Sequence, residues 1–139
     1  MDSSASETPQ AAAERLARDF LERVWGGWPD LDAIDQLMSE DYELVSAGTS
    51  IRGRIAFKQW VADFQQRLSG ARNEVTDVFA SAAGDRVAAR WICSGRSAGI
   101  FGLPADGRRL HFSGLSIWAV REGRLSRCWV ERSAPIVDD

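Results

Sequence analysis

The sequence predicts one α+β domain, a cone-shaped α+β barrel in which three N-terminal helices pack on a curved, mostly antiparallel sheet. Three observations lead there. Apolar residues recur at helical spacing through most of the first 69 positions, and strand-like runs separated by tight turns fill the rest. Helices first and strands afterwards is the order of α+β chains with antiparallel sheets. Finally, 139 residues with 45% hydrophobic content suit one compact domain, and six Trp and six Phe fit a packed core or an apolar cavity beneath a curled sheet.

The elements follow in order. Residues 1–9 read as a disordered tail, 10–133 as the domain and 134–139 as a C-terminal tail. Leu16, Phe20 and Val24, flanked by Ala13, Ala17 and Leu21, predict an amphipathic helix over 9–27, ended by Gly26 and Gly27. Asp30 suits the cap of a short second helix that turns Leu31, Ile34, Leu37 and Met38 inward. "DYELVS" at 41–46 reads as a strand, and "AGTSIRG" as a turn with a minimal strand. The stripe Phe57, Val61, Phe64 and Leu68, with Trp60 on its edge, predicts a third helix over 54–69, stopped by Gly70. Strands follow over 73–81, 86–95, 108–120 and 124–132, with "AGD" and "REG" as turns. No internal repeat or second domain is visible.

Several function classes are disfavoured. Net charge is −3 without a basic tract, so nucleic acid is not an expected partner. "MDSSASETPQ" has neither a basic start nor an apolar run, which argues against a signal peptide or membrane span and for a cytoplasmic protein. Cys93 and Cys128 fall in predicted strands and read as two free buried thiols. With one His and no Cys-x-x-Cys, a zinc site is not expected.

The stretch "RWICSGRSAGIFGLPADGRRLHFSGLSIWAVREGRLSRCWVE", with "DYELV" and "IRGRIAFKQWVADF" upstream, resembles the SnoaL-like polyketide cyclase family of the nuclear-transport-factor-like superfamily. The resemblance runs over roughly residues 10 to 132. It implies a cofactor-independent cyclase or isomerase of polyketide-type secondary metabolism, working by acid–base catalysis on an apolar substrate. Epoxide opening is a further chemistry of that superfamily, and a non-catalytic binding or accessory protein is the alternative. A homodimer through the outer sheet face is the assembly expected of such curled sheets. The family's usual Thr-His-x-Gly segment is here Arg96-Ser97-Ala98-Gly99, so Ser97 stands where a His is customary. The customary Asp after the last-strand Trp is also missing, with Glu131 two residues beyond Trp129.

Five residues are candidates for chemistry. On an unbulged strand Glu131 shares a face with Leu125, Arg127 and Trp129, and a carboxylate beside a large ring suits general acid–base work; otherwise it is a solvent-facing strand end paired to Arg132. Arg90 is the one charge in "VAARWIC" and holds either Glu131 or a ligand oxygen, or else lies on the outer face. Asp41 and Tyr42 open the first strand, near where epoxide-opening relatives use a carboxylate, and the Tyr42 hydroxyl can donate to an epoxide or carbonyl oxygen. Asp41 is alternatively a turn residue. His111 aligns with Arg109, Ser113, Leu115 and Ile117 and is a pocket base or a structural strand residue. Trp60, Trp91, Trp118 and Trp129 are expected against substrate, and so is Ser97. Phe101 and Leu103 in "FGLPADG" are expected as apolar lip residues on a stiff strand connection.

Overall fold

The computed structural model describes residues 7–138 and shows three helices on one face of a seven-stranded sheet. The reading of residues 1–6 as a tail lies outside the described residues. Helix α1 (Pro9–Trp25) starts where Thr8 accepts from the Ala11 amide at 3.1 Å and Pro9 occupies the first turn. It buries the predicted stripe, Ala13, Leu16, Ala17, Phe20, Leu21 and Val24. The larger of these side chains are worth roughly 1.5–3 kcal/mol each in removed apolar surface.

Helix α2 (Ala33–Leu37) is short and runs directly into β1 (Met38–Ser46). Met38, expected within the helix, is its C-cap and the first residue of the strand. Ala47 and Gly48, both at positive φ, turn the chain into β2 (Thr49–Arg52). Helix α3 (Arg54–Arg67) follows, then β3 (Leu68–Ala80), β4 (Arg86–Ser97), β5 (Arg109–Arg121), β6 (Arg124–Arg132) and β7 (Ile136–Val137). Gly70 does not separate helix from strand as predicted, because β3 is already under way at Leu68. The stretch expected as a C-terminal tail carries β7, which pairs Ile136 with His111 and Val137 with Leu110.

The sheet order is β2-β1-β6-β5-β4-β3. Every pairing is antiparallel except β1 with β6. The two edges do not meet, so the curled sheet is an open cone. Alternation assigns its faces. Val87, Ala89, Trp91 and Cys93 of β4, and Phe112, Ser116 and Trp118 of β5, point toward the helices. Arg90, Ile92, Leu115 and Ile117 point away.

One irregularity in β6 decides the site. Trp118 pairs with Cys128 and Ala119 with Arg127, but Val120 pairs with Leu125. Ser126 is the extra residue of a β-bulge, its hydroxyl tied to the Ala119 carbonyl at 3.2 Å. Leu125 therefore shares the inner face with Cys128, Val130 and Arg132, whereas Arg127, Trp129 and Glu131 face outward.

Candidate ligand cavity

Helices and sheet do not close fully. Between them lies a cavity of about 320 Å³, within the range of small-molecule sites. Helix α1 contributes Phe20, Leu21 and Trp25, and α3 contributes Phe57, Trp60 and Phe64. Tyr42, Ser116, Trp118 and Cys128 form the floor. Asn73, Trp91, Cys93 and Phe112 make one wall, and Ile51, Val130 and Arg132 reach the rim on the other side. The rings brace one another: Tyr42 meets Phe57 at 4.7 Å, and Phe20 meets Trp118 edge-on at 5.9 Å.

The floor is polar but uncharged. Tyr42 is 1% exposed, and burial raises its hydroxyl well above the usual tyrosine value, with neighbouring Cys128 adding to the rise. The nearby Trp118 indole acts in the opposite sense. Burial pushes the Cys128 thiol up to about 12, against the opposing influence of the Tyr42 and Ser116 hydroxyls, and the Cys93 thiol up to about 11. At neutral pH Tyr42 and both thiols carry their protons. Trp91 Nε1 donates to Ser116 Oγ at 3.0 Å. That pose depends on Gly114, which lies directly opposite Trp91: a Cβ there would overlap the Trp91 ring, with Cε2 only 2.7 Å away.

Among the described residues two buried polar atoms of the cavity residues, Trp118 Nε1 and Asn73 Oδ1, make no well-formed hydrogen bond, although the Trp118 N–H faces the Tyr42 hydroxyl closely enough to oppose the rise in its pKa. Arg132 is the cation of the site. Its guanidinium sits 4.1 Å from the Phe101 ring centre and 5.9 Å from that of Phe112. Burial lowers its pKa, and it makes no ion pair among the described residues. Among the described residues no Asp, Glu or His side chain lines the cavity. Likewise, no three His, Cys, Asp or Glu side chains among the described residues converge as metal ligands. The site can hold an apolar body, donate hydrogen bonds to an oxygen and offset a negative charge at its rim.

Of the residues singled out from sequence, Tyr42, Trp60, Trp91 and Trp118 are brought together here. The placement expected of Glu131 is corrected: it lies on the outer face opposite exposed Leu115, because the bulge at Ser126 breaks the alternation counted from Leu125. Trp129 goes outward for the same reason, between the guanidinium groups of Arg127 at 5.0 Å and Arg86 at 5.7 Å. Arg90 is likewise on the outer face, bound to Asp77 at 2.9 Å and Thr76 at 3.2 Å, and does not meet Glu131. His111 faces outward and pairs through Nδ1 with Asp138 at 3.0 Å. Asp41 is exposed and held below the usual carboxylate range by the Ser39 hydroxyl at 2.8 Å and by the Arg121 guanidinium.

Ser97 is also corrected, from the pocket to the strand connection. Its hydroxyl donates to the Pro104 carbonyl at 2.7 Å and accepts from the Gly99 amide at 3.3 Å. Phe101, at positive φ, and Leu103 pack around Phe112 behind the cavity wall, so Phe101 supports Arg132 and does not itself form the lip. Sequence reasoning missed Asn73 and Arg132. Counting alternation from Cys128, opposite Trp118, would have turned Arg132 inward; Asn73 carries no comparable signal.

The family model for the SnoaL-like domain matches residues 17–128. No curated protein matches the sequence. Among solved structures, one from Jannaschia sp. CCS1, provisionally assigned as a SnoaL-like polyketide cyclase, superimposes with a TM-score of 0.82 at 14% identity, over 91% of this chain and 89% of that one. A protein from Xanthomonas campestris pv. campestris, provisionally assigned as a polyketide cyclase, gives 0.75 at 25% identity over 88% and 91%. An LEH-like epoxide hydrolase of M. tuberculosis gives 0.69 at 19% identity over 89% and 84%.

Proposed function

We propose that this chain, which belongs to the SnoaL-like domain family, binds an apolar, oxygen-bearing polyketide-type molecule in its cavity and promotes cyclisation or isomerisation of it without a cofactor. The observation that carries this reading is a ring-lined cavity whose floor presents a fully buried, protonated tyrosine hydroxyl. Trp60, Trp91 and Trp118 fold the substrate, and pre-organised geometry supplies several kcal/mol of barrier reduction in such reactions. Tyr42 donates to the oxygen on which negative charge grows. Epoxide opening fits the same floor, with Tyr42 donating to the epoxide oxygen.

A linear β-polyketone incubated with and without the protein tests this. A single cyclised or isomerised product is expected in its presence, formed at least tenfold more slowly by Tyr42→Phe. An unchanged rate and product mixture would sink the enzyme reading. One observation favours a second reading, a non-catalytic carrier of the same ligands: no carboxylate or imidazole of the described residues reaches the cavity to act as base. Stoichiometric binding with no change in product distribution is its signature.

The partner proposed for the outer sheet face is a second copy of this chain. Phe79, Ala88, Ile117 and Trp129 form one lateral row across four strands, beside exposed Ile92 and Leu115. Sedimentation of the wild type as a dimer and of Ile117→Glu as a monomer is the expected pair of results.

A further inference from the structure

Among the described residues three polar groups around the cavity make no well-formed hydrogen bond or ion pair, two of them buried and one exposed. Trp118 Nε1 is a donor, buried at the floor in a side chain that is 1% exposed. Asn73 Oδ1 is an acceptor in the wall. Arg132 is a solvent-exposed cation at the rim, on the inner-facing side of β6 and stacked on Phe101. A buried polar atom without a partner costs roughly 1–3 kcal/mol, and a guanidinium against rings gives up part of its hydration. A ligand that reaches the Tyr42 hydroxyl beside Trp118 and the Arg132 guanidinium recovers part of that free energy, and the Asn73 acceptor is not used by it.

Their spacing limits the ligand. Arg132 follows Cys128 by four residues on β6, and Cys128 pairs with Trp118. At about 3.3 Å per strand residue the backbone positions of Cys128 at the floor and Arg132 at the rim are roughly 13 Å apart. Apolar rings line the space between them. A molecule that reaches both ends is elongated, apolar along its length, and carries an acceptor oxygen at one end and negative charge at the other.

We infer that the cavity takes a monoanionic carboxylic acid, bound with its carboxylate on Arg132 at the rim and a neutral acceptor oxygen against the Tyr42 hydroxyl at the floor, toward which the Trp118 indole N–H points. This rests on the proposed use of the cavity as a small-molecule site and adds the charge and the direction of the ligand. The carboxylate keeps part of its hydration at the rim, while the guanidinium fork supplies two parallel donors. Among the described residues Arg132 has no carboxylate to give up in return.

Calorimetric titration at pH 7 with three probes tests the pose: 6-methoxy-2-naphthoate, its methyl ester, and 2-naphthoate. The wild type is expected to bind the methoxy acid at least fivefold more tightly than the ester. Arg132→Gln should abolish that preference while leaving the ester's affinity within twofold, and Arg132→Lys should restore part of it. The methoxy acid should also bind at least threefold more tightly than 2-naphthoate. Equal binding of acid and ester, or a preference that survives Arg132→Gln, overturns the carboxylate contact. Equal binding of the two acids overturns the inner contact and with it the direction. If none of the three binds, the cavity is not a ligand site, and the proposed function falls together with this inference.

Discussion

Gly114→Ala is the sharpest perturbation of the site. Gly114 stands between Trp91 on β4 and Arg132 on β6, and the Trp91 ring lies across its backbone. An added methyl would overlap Cζ2, Cη2 and Cε2 of that ring. Neither strand can retreat, because both are paired on two sides. The indole must therefore swing into the cavity, at an overpacking cost of about 1–3 kcal/mol. It also surrenders the Nε1 bond to Ser116, worth about 1 kcal/mol. The expected destabilisation is about 2–4 kcal/mol, or a fall of roughly 1–2 M in the urea midpoint. The displaced ring should also block the cavity, weakening binding of 6-methoxy-2-naphthoate at least tenfold. In a Trp91→Ala background the same substitution should be neutral or stabilise by about 0.5–1 kcal/mol, since Ala is favoured over Gly within a strand. Single and double variants compared by urea unfolding give the coupling directly. A coupling below about 1 kcal/mol would refute the claim that Gly114 exists to seat Trp91.

Three further outcomes are expected. Stability should fall above pH 9: the folded Cys93 and Cys128 thiols titrate at about 11 and about 12 against 9.0 when free, so the unfolded chain loses these protons first. Below pH 9 neither contributes; above it each contributes a loss of about 1.4 kcal/mol per pH unit until its folded pKa is passed, and a Cys93→Ala/Cys128→Ala variant should show a shallower decline in urea midpoints from pH 8 to 10.5. Glu131→Gln should leave probe affinity and any turnover within twofold, because the side chain is on the outer face; a tenfold loss in either would mean that the face assignment of β6 is wrong. Ser97→Ala should cost about 1–3 kcal/mol in thermal or urea unfolding, since the hydroxyl both donates to Pro104 and accepts from Gly99 within the strand connection.

Element identity was legible because it depends on local periodicity. The α1 stripe from Ala13 to Val24 and the alternation of β4 and β5 are visible in the residue order alone, and the structure buries those same side chains. Tyr42, Trp60, Trp91 and Trp118 could be placed near a cavity on the same grounds. Gly70 misled, because it lies inside β3 at a positive φ near a register shift and not at a helix stop.

The polar candidates divide differently. Alternation allowed Arg90 and His111 to face either way, and salt partners on the outer face, Asp77 and Asp138, complete their surroundings. Glu131 followed from a correct rule applied to a strand with one residue too many. Amino-acid order by itself determined the class of fold, the helices, the strands and the richness in rings, since each of these is set by neighbours within a few positions. Only the tertiary structure decided which charge faces the cavity. A single bulged residue, Ser126, reverses the face of everything after it, and a bulge arises from pairing with another strand, which no local pattern in β6 records.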